Sequence, residues 1–120
     1  MKKKAIGNKG EQIAADFISE NGYKILARNW ICNHKEVDII AQKDNKIVFV
    51  EVKTRNFAFT ENPSETVNFK KQKMLVEAAN SYISRYNIDL EARFDVVIVV
   101  LKNSGQEVCV IENAFYPMLR

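Results

Sequence analysis

Apolar residues recur every three or four positions between Asn8 and Asn21, at Ile13, Ala14, Phe17 and Ile18, and the following Asn21-Gly22 pair is a stop signal. The spacing predicts an amphipathic helix over about 8–21. Tyr23 to Cys32 is rich in aromatic and β-branched residues and reads as a strand, after which Asn33-His34-Lys35 turns the chain. Residues 36–42 and 46–54 read as two more strands, and the polar Lys43-Asp44-Asn45 between them has hairpin length. Residues 55–63, with Asn56, Thr60, Asn62 and Pro63, read as a loop, and Ser64 or a near neighbour is the expected N-cap of a second helix. That helix runs from about Glu65 to Tyr86, because Val67, Met74, Leu75, Ala78, Ala79, Tyr82 and Ile83 again recur at three and four. Arg93 to Leu101 is a nearly continuous β-branched run, as in a strand covered on both faces, and is expected at the sheet centre. Glu107 to Ile111 is the last strand, and residues 114–120 form a tail with room for one helical turn. The predicted order is α-β-β-β-α-β-β.

Two of these strands carry charge at alternate positions. Glu36 and Asp38 share one face of their strand, and Glu51 and Lys53 share one face of the next. An isolated acid on a strand is usually a solvent-facing residue of an amphipathic sheet. Here, period two puts Ile47 and Phe49 on the face of Glu51 and Lys53, so the charges extend a buried apolar face. Converging carboxylates at such a place would have raised pKa values unless a cation compensates. A divalent metal ion is the natural compensator.

Composition changes this picture little. One domain spanning 1–120 fits the length. With 47% hydrophobic and 28% charged residues, and no apolar run near the roughly 20 residues that span a bilayer, a soluble cytoplasmic protein is expected rather than a membrane or disordered one. Lys2 to Lys4 are not followed by the apolar stretch of a signal peptide. Cys32 and Cys109 stand far apart without a metal-ligand spacing and are expected to be buried, reduced thiols. Residues 1–55 hold 11 Lys and Arg against 7 acids, whereas residues 56–120 hold 7 against 8, so basic charge gathers around the charged strands. That bias suits a polyanionic partner, and it also suits a merely solvated surface.

Each helix adds a polar residue beside its apolar stripe. Glu11 precedes Ala14 and Ile18 by three and seven positions, and Gln72 precedes Leu75, Val76 and Ala79 by three, four and seven. Either could reach inward, or could be an ordinary flank residue.

Asn8-Lys-Gly-Glu11, Lys24-Ile-Leu-Ala-Arg-Asn-Trp30, Glu36-Val-Asp-Ile-Ile-Ala41, Val48-Phe-Val-Glu-Val-Lys-Thr-Arg55, Lys71-Gln-Lys73 and Arg93-Phe-Asp-Val-Val97 together resemble the successive motifs of the YraN-like family of small bacterial proteins. That family is similar to archaeal Holliday-junction resolvases and falls in the PD-(D/E)XK nuclease superfamily. The resemblance implies a restriction-endonuclease-like α/β core, with a central mixed sheet flanked by helices. By the same likeness, Asp38 matches a metal-binding Asp, Glu51-Val52-Lys53 an E-x-K tripeptide, Glu11 an acid of the first helix and Gln72 a glutamine of the second. Glu36 matches an acid of a Gly-Glu-Ile-Asp pattern, from which this chain departs at Lys35.

The activity so implied is metal-dependent hydrolysis of phosphodiester bonds in nucleic acid, branched or structured DNA above all, by a chain that could act as a homodimer. Asp38 and Glu51, the Val52 carbonyl and Glu11 would hold Mg²⁺ or Mn²⁺. Lys53 would stabilise developing charge, and Gln72 would position water or phosphate. Lys9, Arg28, Lys35, Arg55, Lys70, Lys71 and Lys73, with Lys2 to Lys4, are the expected phosphate contacts. Phe57 and Phe59 in the loop are better placed than Trp30 to stack on bases. The competing readings are a nucleic-acid-binding protein with a silent nuclease fold and a structural module whose charges make internal ion pairs.

Overall fold

A computed structural model of the chain describes residues 3–56 and 67–115, with side chains from residue 7 onward. The elements are α1 (Lys3–Glu20), β1 (Lys24–Cys32), β2 (Lys35–Lys43), β3 (Lys46–Asn56), α2 (Phe69–Arg85), β4 (Glu91–Lys102) and β5 (Gly105–Ile111). Their order is the predicted one. Phe57, Phe59 and Ser64 lie outside the described residues, as does the tail beyond Phe115.

The five strands form one mixed sheet in the order β1-β2-β3-β4-β5. The β1–β2 and β2–β3 connections are tight turns, with positive φ at Asn33 and His34 and at Asp44 and Asn45, the conformation that two-residue hairpins require. Between β3 and β4 the chain crosses through α2, so these two strands run parallel over a register from Lys46 opposite Glu91 to Asn56 opposite Leu101.

One helix covers each face of the sheet. Ala14, Ala15 and Ile18 of α1 pack on Ile39, Ala41, Val48, Val50, Val97 and Val99. Leu75, Ala78, Ala79 and Tyr82 of α2 pack on the alternate positions, Ile40, Ile47, Phe49, Phe94, Val96 and Ile98. Helix α2 begins at Asn68, later than the spacing predicts, where the side chain accepts from the N–H of Lys71 at 2.8 Å. Trp30 is half-buried, edge-to-face with Tyr82 at 5.3 Å between ring centroids.

Two expectations need correction. The strand containing Arg93 to Leu101 is buried on both faces, yet β3 holds the central place. Burial on both faces does not distinguish them, because α1 and α2 cover both strands; the α2 crossover sets β4 beside β3, and β5 adds outside it. The thiols are not both buried: Cys32 is half-buried and Cys109 is exposed on the edge strand β5. Alternation along an edge strand turns every second residue outward.

The apolar α1 side of the sheet contains one buried ionic network. Arg93 and Asp95, 5% and 1% exposed, meet through two hydrogen bonds of 2.9 Å. Tyr23 donates its hydroxyl to Asp95 at 2.7 Å, the Asn113 N–H donates at 3.1 Å, and Arg93 also reaches Asp44 in the β2–β3 turn at 3.3 Å. A buried pair bonded on this many sides meets the condition under which burial of charge is tolerated.

Candidate functional site

The last paired positions of β2 and β3 are Ile39 and Val50; beyond them no pair joins the two strands. Asp38 stands at this fork and accepts the Val52 N–H through Oδ2 at 2.8 Å. A side chain thus replaces the backbone acceptor that a continued strand would have supplied. The fork opens a cleft of about 560 Å³ lined by Glu11, Asp38, Glu51, Val52, Lys53 and the end of β3 through Asn56.

Glu51 forms the buried part of this cleft, being 5% exposed. Its parity along β3 matches Ile47 and Phe49, as the alternation predicts. Lys71 Nζ approaches its Oε2 at 3.4 Å and Lys53 Nζ its Oε1 at 3.9 Å, and no hydrogen bond reaches Oε2 among the described residues. Burial raises the Glu51 pKa from 4.5 to about 7; the charge of Asp38 adds to the rise, and Lys71 and Lys53 oppose it.

Glu11 enters from α1. Its pKa is also raised, first by burial and then by Asp38 and Glu36, with Arg28 acting the other way. Helix α1 comes this close to β3 because residue 10 is glycine: a Cβ there would fall 1.9 Å from Thr54 Oγ1 and 3.0 Å from Thr54 Cβ. Any larger residue would have to displace the Thr54 side chain or the helix that carries Glu11.

The predicted site residues therefore divide. Glu11, Asp38, Glu51, Val52 and Lys53 come together at one cleft. Gln72 is not among the residues lining it, and its amide nitrogen donates to the Val67 carbonyl at 2.9 Å at the start of α2. Among the predicted cations, Arg55 lines the cleft and Lys71 pairs with Glu51. Arg28 donates to Gln12 at 2.9 Å, and Lys35 lies 3.6 Å from Glu77. Lys9, Lys70 and Lys73 are exposed on the two helices. Glu36 is exposed at the border of the site.

Two contacts escaped the sequence reading. Lys71 was expected to meet phosphate, and nothing local could pair it with an acid 20 residues earlier. Asn29, an unusual polar residue inside a run of β-formers, has φ 50 and faces Glu11 and Glu36.

Among the described residues, no three Asp, Glu, His or Cys side chains gather in metal-ligating geometry. Asp38 and Glu51 nonetheless offer what a hard cation takes: oxygen donors, one of them a buried carboxylate atom with no hydrogen bond, on the wall of the cleft.

The model of the uncharacterised protein family UPF0102 matches residues 10–99, a stretch that contains all five clustered residues. A UPF0102 protein of Parabacteroides distasonis is 41% identical over 96% of this chain and 95% of its own length. One of Clostridium botulinum is 47% identical over 93% and 94%, and one of Caldanaerobacter subterraneus subsp. tengcongensis is 45% identical over 94% and 96%.

Proposed function

The chain belongs to the uncharacterised protein family UPF0102, and from the cleft between β2 and β3 we propose that it hydrolyses phosphodiester bonds of branched or otherwise structured DNA with Mg²⁺ or Mn²⁺. The observation that carries this reading is Glu51: a carboxylate kept in the sheet core, facing Asp38, with one oxygen that accepts no hydrogen bond and a lysine two residues on. Such a group weakens the fold, so its position speaks for chemistry. The order α-β-β-β-α-β-β and the E-x-K spacing support a restriction-endonuclease-like core of the resolvase type.

Asp38, Glu51 and the Val52 carbonyl would hold the cation, with Glu11 at the cleft wall. When bound, the cation would polarise a phosphoryl oxygen and lower the pKa of the attacking water. Lys53 places its ammonium beside Glu51, where it stabilises negative charge growing on the phosphoryl oxygens and orients water. Arg55, two residues further along β3 on the cleft rim, is placed to meet a neighbouring phosphate. Asp38 keeps the fork open by holding the Val52 N–H.

Cleavage of branched, flapped and linear DNA with Mg²⁺ or Mn²⁺ tests this function. Glu51→Ala and Lys53→Ala should each abolish cleavage while the protein stays folded, and cleavage surviving both would overturn the assignment. Binding should weaken steeply with salt, because phosphate contacts release counterions.

A second reading, a nucleic-acid-binding protein with a silent site, draws on the contact between Lys71 and Glu51. A lysine at 3.4 Å already supplies positive charge to the buried acid. Mn²⁺ titration separates the two: binding with cleavage favours the first, DNA binding without cleavage the second.

A further inference from the structure

We propose that Asn29 is a positioning residue that ties Glu11 of α1 to Glu36 of β2 and thereby holds the Glu11 carboxylate in the cleft; this rests on the reading of that cleft as a cation site. Along β1, Arg28 lies opposite Ile39 and Trp30 opposite Val37, so Asn29 comes at the level of Asp38. At this position the backbone leaves the strand conformation, with φ 50. Asparagine tolerates that left-handed geometry better than most residues with a side chain.

The amide then stands 2.8 Å from Oε1 of Glu11 and 3.2 Å from Oε1 of Glu36. Both carboxylates accept, so the group between them is the NH₂, whose two protons serve the two acids. A lysine or arginine at this point would also bridge them, but would cancel the negative potential that attracts a cation. A neutral donor holds the acids in place and leaves their charge intact.

The tether has something to oppose. Glu11 also borders a second cavity, of about 440 Å³, lined by Asn8, Gln12, Arg28 and Asn29 itself. Asp38 repels Glu11 and Arg28 attracts it, so without a fixed contact its carboxylate would turn further toward Arg28 and away from Asp38. The Asn29 amide fixes one Glu11 oxygen beside Glu36, at the border of the two openings that Glu11 lines.

The experiment has two parts. In the metal-free protein, the side-chain ¹⁵N–¹H₂ resonances of Asn29 should show slowed solvent exchange and should shift in Glu11→Ala. Rapid exchange with no response to Glu11→Ala would overturn the tether, whether or not the protein binds metal. In calorimetric Mn²⁺ titrations, Asn29→Gly, which keeps the left-handed backbone and removes the amide, should weaken binding about tenfold. In a Glu11→Ala background the same change should alter affinity less than about twofold, because Asn29 acts through Glu11. Equal losses in both backgrounds would show that Asn29 acts by another route. No Mn²⁺ binding by the parent protein would instead overturn the proposed function, and the resonance measurement would still decide the tether.

Discussion

Lys71 Nζ stands 3.4 Å from Oε2 of Glu51, so the first turn of α2 supplies the positive charge nearest to the most buried acid of the cleft. A lysine there stabilises the ionised carboxylate and competes electrostatically with any cation for it. Lys71→Met should therefore bind Mn²⁺ severalfold more tightly than the parent at pH 8.5, where Glu51 is ionised, as measured by calorimetry. Weaker binding would show that Lys71 assists the metal rather than standing in for it.

Glu51 links stability to pH. Its pKa is about 7 in the folded protein against an ordinary 4.5, so between these values the folded state holds a proton that the unfolded state has lost. The stability that this group contributes is thus fullest below pH 4.5 and is lost as pH rises through about 7. The raised pKa of Glu11 acts with the same sign. Metal-free Glu51→Gln should be more stable than the parent at pH 8, by roughly 1–3 kcal/mol, and its unfolding temperature should vary less between pH 5.5 and 8. A parent protein whose stability rises over that interval, with no flattening in the variant, would contradict this.

Lys53 lies farther from Glu51 than Lys71 does, at 3.9 Å, and faces the open cleft. It is expected to act on the transition state more than on the cation. Lys53→Met should lower cleavage by about 10²–10³-fold and leave Mn²⁺ affinity within a few-fold of the parent. A loss confined to Mn²⁺ affinity would move Lys53 from chemistry to cation binding.

Asp95 provides the control. It bonds Arg93 on the α1 side of the sheet and does not line the cleft. Asp95→Ala would leave a buried guanidinium without its main partner and should cost about 3–5 kcal/mol in denaturant unfolding. Mn²⁺ affinity of the folded fraction should be unchanged.

Period two along β3 was enough to place Glu51 and Lys53 beyond Ile47 and Phe49, and helical spacing set Glu11 beside the stripe of Ala14 and Ile18, without deciding whether it reached inward. Both are local regularities, which a sequence displays directly. The fork between β2 and β3 is not local. Val37 and Ile40 both pack on the α2 side although they differ in parity, so the alternation breaks near Asp38, where its carboxylate turns toward β3. Nor does any spacing announce that β3 outranks β4 as the central strand, or that Lys71 reaches Glu51, because the α2 crossover decides both. Asn29 passed as one more residue of the Tyr23 to Cys32 strand, because its left-handed backbone and the acids it faces depend on how α1 and β2 pack beside it.

The Asp38 bond to Val52 also bears on how relatives of this chain should be compared. Asp38 does architectural duty whether or not anything is cut, so selection for folding alone would preserve it in a lineage that had lost hydrolysis. Glu51 has no such protection, since a buried acid with an oxygen that accepts no hydrogen bond burdens the fold. Drift toward glutamine or an apolar residue at position 51, with aspartate still present at 38, would be the mark of a descendant that kept the scaffold and abandoned the reaction.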